Sequence, residues 1–331
     1  MVFSQIIITA VTDTALTAGL TVFLNVMNAF EPTVPQLQFV TCPHEGGSHR
    51  MAYWRWGDAQ APHVVMAVHG LTRQGRDFDR LAAVLVAAGQ GQLQVICPDV
   101  AGRGKSEWLS NPGLYQVPQY AADMLVLLAH LHAANPIETL DWVGTSMGGL
   151  IGMVLMGQPG LPLPVPVRRL VLNDVGPSIT WSSLQRMKQY VGQFGTYTDV
   201  QQVAQVLRLL SVGFGPVPDD IWLELSAHMV RPSPEGGVTL HYDPAIAQPL
   251  QALTEEAALA AEPIMWGLYD QIQARVLLIR GEDSDLLTLV TAQAMTQRGP
   301  QAKLLQWPHI GHAPTLTDPE HISVLKAFLL D

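Results

Sequence analysis

Residues 139–156 read TLDWVGTSMGGLIGMVLM. The mostly apolar residues before Gly144 predict a buried strand, and the apolar residues after Gly149 predict a helix. Ser146 stands between them, two residues from Gly144 and two from Gly148. A serine between such glycines, on a tight strand-to-helix turn, is typical of a catalytic nucleophile. The stretch therefore predicts that Ser146 is a nucleophile at the carboxyl end of a central strand.

Strand-like and helix-like segments alternate on both sides of this stretch, from residue 38 onward. A β-hairpin across Glu45-Gly46-Gly47 is predicted first. Strands that alternate with helices form a mostly parallel sheet with helices on both faces. We therefore expect an α/β fold whose functional site lies at the carboxyl ends of its strands. The further predicted strands are at residues 64–68, 93–97, 169–172, 275–279 and 303–307.

The alternation stops between residues 178 and 265, where the apolar spacing predicts helices alone. We therefore expect an all-helical cap inserted between two strands of the sheet. The predicted organisation is an N-terminal extension (1–36), a core (37–177 and 266–331) and the cap (178–265). A substrate pocket is expected between cap and core. Its candidate lining residues are Thr72, Trp181, Trp222 and Trp266, although each tryptophan could instead hold the cap together.

A serine hydroxyl needs a neighbouring base before it can act as a nucleophile. His312, in the sequence Gly311-His312-Ala313-Pro314, follows the last predicted strand and is the preferred base. His309 is the alternative, but it lies closer to the end of that strand. Either histidine can reach Ser146 only through the fold.

The base in turn needs a carboxylate that orients its ring. Asp174 ends the strand that follows the nucleophile's helix, and it is the preferred acid. Asp285 and Asp283 follow the strand at 275–279 and are the alternatives. Asp285 also precedes a predicted helix at 286–295, so it could instead be a helix N-cap.

An acyl-transfer site also needs donors for the negative charge that forms on the substrate oxygen. The backbone N–H of Met147, directly after Ser146, is one candidate. The backbone N–H of Leu71, which follows His69-Gly70 at the end of another strand, is the second. Both donors belong to the backbone, so the two side chains are free to contact substrate.

The composition excludes several classes of protein. The chain has 331 residues, 48% hydrophobic and 14% charged, with a net charge of −10. An acidic chain without a basic cluster argues against a nucleic-acid partner. Two cysteines exclude a disulfide-dense scaffold and a four-cysteine zinc site. Gly102-Arg103-Gly104-Lys105-Ser106 lacks the earlier glycine of a phosphate-binding loop, since Asp99 takes that position. No cofactor or metal site is predicted.

The first 36 residues include many apolar side chains, and their charged residues are Asp13 and Glu31. Polar residues interrupt them too often for a membrane helix, and they lack the basic start of a secretion signal. We therefore expect a cytoplasmic protein without a membrane partner. An exported or membrane-associated protein, held through residues 1–30, is the alternative. The sequence also leaves a homodimer open.

The chain resembles the α/β-hydrolase superfamily over residues 38–331. The resemblance covers the His69-Gly70-Leu71 turn, the serine turn, Asn173-Asp174, Arg280-Gly281 and Gly311-His312-Ala313-Pro314. It implies that Ser146 is the nucleophile, that His312 is the base, and that Leu71 and Met147 form the oxyanion hole. In the superfamily the acid usually lies three residues after the glycine that here is Gly281. This chain has Ser284 there, and some relatives take the acid from the strand that here ends at Asp174.

The resemblance implies a capped, cofactor-free serine esterase whose partner is a small-molecule ester. The expected reaction is hydrolysis of small to medium hydrophobic carboxylic esters through a Ser-His-Asp triad and an acyl-serine. Other reactions on the same residues remain alternatives: hydrolysis of lactones, thioesters or amides, carbon–carbon cleavage of a dienone, and acyl transfer. A non-catalytic ligand receptor on the same scaffold is the alternative from another class.

Overall fold

An eight-stranded sheet forms the centre of the computed structural model, which describes residues 34–331. Its strands lie in the order β1-β2-β4-β3-β5-β6-β9-β10. β2 is antiparallel to both of its neighbours, and all the other neighbouring pairs are parallel. The predicted, mostly parallel sheet is therefore confirmed. The strands are β1 (Gln36–His44), β2 (Gly47–Trp56), β3 (His63–Val68), β4 (Leu93–Pro98), β5 (Thr139–Thr145), β6 (Val167–Asn173), β9 (Arg275–Gly281) and β10 (Lys303–Trp307).

Helices cover both faces of this sheet, as the sequence predicts. Alternate residues of β3 show why, since Val64 and Met66 join one buried cluster while Val65 and Ala67 join the other. Side chains alternate between faces along a strand, so a run of apolar residues needs apolar cover on both sides. The first cluster packs against α2 (Val117–Ala134) and α3 (Met147–Gly157), and the second against α1 (Asp79–Ala88) and α10 (Pro319–Leu330).

Residues 178–265, the predicted cap, are not all helical. They contain a short antiparallel hairpin of β7 (Val230–Pro232) and β8 (Val238–Leu240). Gly236 and Gly237 make the turn with φ of 93° and 69°, which glycine adopts without strain. Strands of three residues are too short to show a period of two, so no apolar pattern in this segment predicts them. The helices are α4 (Trp181–Tyr190), α5 (Val200–Leu210), α6 (Asp219–Ala227), α7 (Ala247–Ala252) and the first half of α8 (Glu255–Gln271).

The predicted boundary between cap and core, after residue 265, falls inside α8, so this helix belongs partly to each of the two predicted parts. The N-terminal extension, 1–36, lies almost entirely outside the described residues. From residue 34 onward, none of the helices is both long enough and apolar enough to cross a membrane. The helix between β9 and β10, α9 (Leu289–Met295), starts later than the predicted residue 286.

The turn between β5 and α3 brings backbone segments into very close approach. A Cβ on Gly148 would lie 2.0 Å from the carbonyl oxygen of Val68 in β3. A Cβ on Gly144 would lie 2.4 Å from the carbonyl oxygen of Gly148. Neither position has room for a side chain. The two glycines therefore let α3 start directly against the sheet, with Ser146 at the apex.

We predict that Gly148→Ala lowers the free energy of unfolding by about 1–3 kcal/mol, because the new methyl group must push β3 and α3 apart. Gly267→Ala is the matched control, since Gly267 lies in α8 with open space around its Cβ position. It should raise the free energy of unfolding by about 0.5–1 kcal/mol through helix propensity. Urea denaturation measures both. Equal effects of the two changes would contradict this account of the turn.

Candidate active site

Ser146 lies at the apex of the turn and projects from the carboxyl edge of the sheet. Its backbone has a φ of 51°, a conformation that a residue other than glycine adopts only when its surroundings impose it. The Ser146 backbone N–H donates to the Asn173 carbonyl of β6 at 3.0 Å. The serine Oγ lies 2.9 Å from Nε2 of His312.

His312 connects the serine to a buried carboxylate. It lies on the loop between β10 and α10, and its Nδ1 is 2.7 Å from Oδ2 of Asp174. The ionised carboxylate can only accept, so Nδ1 carries the proton and Nε2 is left to accept from the hydroxyl of Ser146. The three side chains form one continuous hydrogen-bonded chain. Its arrangement is that of a nucleophile, a base and an orienting acid.

Asp174 is fully buried just past the end of β6. Two hydrogen-bond donors hold its carboxylate, one at the end of the adjacent strand β9 and one in the loop that follows β9. The backbone N–H of Gly281 donates to Oδ1 at 2.9 Å. The hydroxyl of Ser284 donates to Oδ2 at 2.6 Å, and the same hydroxyl accepts from the N–H of Leu287 at 3.1 Å. A buried carboxylate is stable only when such donors replace water. In the sequence, Ser284 stands at the position where the superfamily usually has its acid. In the structure, its hydroxyl donates to the carboxylate of Asp174, which follows the adjacent strand β6.

The alternative residues do not bond to Ser146 or His312, although Asp283 and Asp285 line the same cavity. Asp285 makes a two-point ion pair with Arg186 of α4 at 2.8 and 2.9 Å, and it is not the N-cap predicted for it. Thr288 caps α9 instead, because that helix begins three residues later than expected. Asp283 lines the same cavity as Ser146 but makes no bond to His312. His309 is exposed to solvent.

The two predicted oxyanion donors flank Ser146. The N–H of Met147 is the first of α3, so it has no carbonyl one turn earlier to bond. Leu71 follows β3, and its carbonyl accepts from Nε of Arg103 at 2.9 Å. Arg103 is fully buried and also donates to the hydroxyl of Tyr120 at 2.8 Å. Sequence reasoning missed Arg103, because it treated the residue only as part of a false phosphate loop.

A buried histidine fixes the turn that precedes Leu71. His69 accepts the N–H of Val100 on Nε2 at 3.0 Å and donates from Nδ1 to the carbonyl of Gly70 at 2.7 Å. Burial lowers the pKa of His69 to about 3, so its ring is neutral at physiological pH. The neutral ring can make both bonds at once. It therefore holds the β3 turn beside the end of β4.

A cavity of about 400 Å³ opens on Ser146 and His312. This volume is within the range of small-molecule sites. Thr72 lines it, as expected from the sequence. The side chains that α4 to α6 and the β7–β8 hairpin contribute are mainly apolar: Met187, Tyr190, Leu207, Leu225, Met229 and Leu240.

The three predicted tryptophans do not line this cavity. Trp222 is buried and stacks on Phe214 at a centroid distance of 5.7 Å. Trp266 donates to the hydroxyl of Ser178 at 2.9 Å, and the Lys188 amine lies 4.8 Å from the ring of Trp181. The expectation was wrong because each indole contacts another side chain instead of lining the cavity. Medium-sized apolar side chains line the cavity instead.

Comparison with known proteins supports the α/β fold described above. The family model for the alpha/beta hydrolase fold matches residues 63–319. A 3-hydroxybutyrate-oligomer hydrolase of Cupriavidus necator is 43% identical over 299 residues, which are 89% of this chain and 97% of that protein. An α/β hydrolase of Novosphingobium aromaticivorans is 33% identical with a TM-score of 0.74, covering 89% of this chain and 98% of that one. A crystal structure from Rickettsia typhi has a TM-score of 0.77 at 27% identity, with the same coverage.

The fold and the hydrogen-bonded serine define an enzyme of the serine-hydrolase class. The chain belongs to the α/β-hydrolase family.

We predict that Asp174→Asn lowers kcat for ester hydrolysis by on the order of 10³- to 10⁴-fold, because the amide can neither hold the His312 tautomer nor stabilise its positive charge. Asp285→Asn removes only the ion pair to Arg186 and should lower kcat by less than about tenfold. Steady-state kinetics on folded variants compares the two. The reverse order of losses would assign the acid to Asp285.

Ser284→Ala should lower kcat by about tenfold, because the lost hydrogen bond to the Asp174 carboxylate corresponds to about 1.4 kcal/mol or slightly more. Ser284→Thr keeps the hydroxyl and should recover most of the activity. An alanine variant with an unchanged kcat would show that Ser284 has no positioning role.

Proposed function

We propose that this protein hydrolyses carboxylic esters with Ser146 as the nucleophile, and that its substrates are short oligomers of 3-hydroxybutyrate. The observation that carries the reaction is the continuous bonding of Ser146, His312 and Asp174 at the floor of the cavity. The substrate class rests on the 43% identity to the 3-hydroxybutyrate-oligomer hydrolase over nearly its whole length.

In the first half of the proposed reaction, the Ser146 Oγ attacks the ester carbonyl while Nε2 of His312 takes the hydroxyl proton. Asp174 stabilises the imidazolium that forms. The N–H groups of Leu71 and Met147 bind the oxyanion of the tetrahedral intermediate. His312 then gives its proton to the leaving alkoxide, so an alcohol departs and an acyl-serine remains.

In the second half, His312 takes a proton from water, and the resulting hydroxide attacks the acyl-serine carbonyl. The serine leaves with the proton held by His312. The products of one cycle are an alcohol and a carboxylic acid. With a hydroxybutyrate oligomer, both products are shorter hydroxyacid chains.

The cavity wall suits an oligoester of this kind. Its apolar side chains can pack against the methyl branches of the hydroxybutyrate units. Arg73 and Arg186 also line the cavity, and each is paired with an aspartate, Asp77 and Asp285 respectively. Asp283 lines the cavity as well, so the charged side chains of the wall, two arginines and three aspartates, carry no net positive charge. The proposed recognition of the oligomer therefore rests on the apolar side chains of the wall.

We predict that the wild-type protein releases 3-hydroxybutyrate from the dimer and trimer and also hydrolyses p-nitrophenyl butyrate. It should act at least about tenfold more slowly on p-nitrophenyl palmitate, because a cavity of about 400 Å³ is small for a long acyl chain. Ser146→Ala should reduce every activity by at least about 10³-fold.

Different results would refute the proposed substrate and the proposed reaction. Ester hydrolysis without cleavage of the dimer or trimer would refute the proposed substrate while keeping the reaction. Full activity of a folded Ser146→Ala variant would refute the reaction itself. Circular dichroism supplies the check that the variant is folded.

A further inference from the structure

A second cluster of reactive side chains lies at the β1–β2 edge of the sheet, with β3 and β4 between it and β5. Cys42 of β1 and His49 of β2 are directly opposed partners in the antiparallel register, so their side chains share one face. That face packs on α2, which contributes Asp123. The cluster takes no part in the reaction proposed for Ser146.

The three side chains are close enough to share one ion. Their candidate ligand atoms all lie within 4.8 Å of one another, and Nε2 of His49 is 3.1 Å from Oδ2 of Asp123. In a tetrahedral zinc site with bonds of about 2.0–2.3 Å, the ligand atoms lie about 3.3–3.8 Å apart, so the side chains must turn inward by about 1 Å to share one ion. Exposure is 0% for Cys42, 3% for His49 and 0% for Asp123.

Two features of the cluster favour a cation ligand. Asp123 is a fully buried carboxylate whose side-chain partners are His49 and Gln119, neither of which carries a permanent positive charge. Nδ1 of His49 is also buried and has no hydrogen-bond partner among the described residues. Buried polar groups of both kinds are normally satisfied.

We propose that Cys42, His49 and Asp123 bind a divalent transition-metal cation of the zinc type. A thiolate, a carboxylate and a neutral imidazole form a ligand set typical of zinc. On binding, the S–H bond of Cys42 breaks, its proton goes to solvent and a metal–sulfur bond forms. The two negative ligands then cancel the charge of the cation, which a buried site requires.

A second histidine lies beside the cluster, although it is not one of the three residues whose ligand atoms lie within 4.8 Å of one another. His44 follows Cys42 on the same face of β1, and its ring stacks on that of His49 at a centroid distance of 5.6 Å. Nδ1 of His44 donates to the carbonyl of Glu45 at 2.8 Å, which leaves Nε2 as the ring nitrogen with a free electron pair. The cation would then link the β1–β2 hairpin to α2 and stabilise their packing.

The test is titration of chelator-treated, full-length protein with Co²⁺, a spectroscopic substitute for zinc. Thiolate ligation produces a sulfur-to-cobalt charge-transfer band, and the sequence has only two cysteines, Cys42 and Cys97. Cys97 is the matched control, because it is equally buried in β4 but is not part of the cluster. We expect a band that saturates at one equivalent in the wild type and in Cys97→Ala, and no band in Cys42→Ala.

Thermal unfolding with Zn²⁺ gives a second readout. Zinc should raise the Tm of the wild type and of Cys97→Ala, because the cation binds only the folded site, and it should leave the Tm of Asp123→Asn unchanged. Should Cys42→Ala fail to fold, Asp123→Asn and His49→Gln replace it, with a band weakened at least tenfold. A wild-type protein without a charge-transfer band, or a band that persists in Cys42→Ala, would overturn the proposal.

Discussion

The close approach of α3 to β3 is the constraint on which the site depends. The carbonyl of Val68 occupies the space where a side chain on Gly148 would be, so the helix can start immediately after β5. This forces Ser146 into a backbone conformation with φ of 51° and lifts its hydroxyl clear of the sheet. The same turn leaves the N–H of Met147 unpaired at the start of the helix. One packing contact therefore positions both the proposed nucleophile and one of the proposed oxyanion donors.

A second feature is the place of the acid. Asp174 follows β6, and it is held from the adjacent β9 by the N–H of Gly281 and the hydroxyl of Ser284. Neighbouring parallel strands end at the same edge of the sheet, so a carboxylate after either strand can reach His312. The loop after β9 thus contributes a donor instead of the carboxylate. Asp285 is left free to pair with Arg186, which joins that loop to α4.

The sequence was sufficient for the features that rest on long or local patterns. Apolar runs predicted the parallel sheet, and glycine spacing predicted the turn at Ser146. It failed where a short element or a distant contact decides the outcome. The β7–β8 hairpin is too short for a periodic signal, and nothing local shows that Trp222 stacks on Phe214 instead of facing the cavity. Arg103 likewise contacts Leu71 across the fold, a contact that no sequence spacing encodes.

The central claim is that His312 activates Ser146 and that Ser146 then carries the acyl group. Intact-protein mass spectrometry after treatment with a fluorophosphonate probe tests it most directly, because the probe reacts preferentially with an activated serine. The account predicts a single adduct that maps to Ser146, with labelling slowed by orders of magnitude in His312→Ala and absent in Ser146→Ala. An adduct on another residue, or equally fast labelling without His312, would contradict the account.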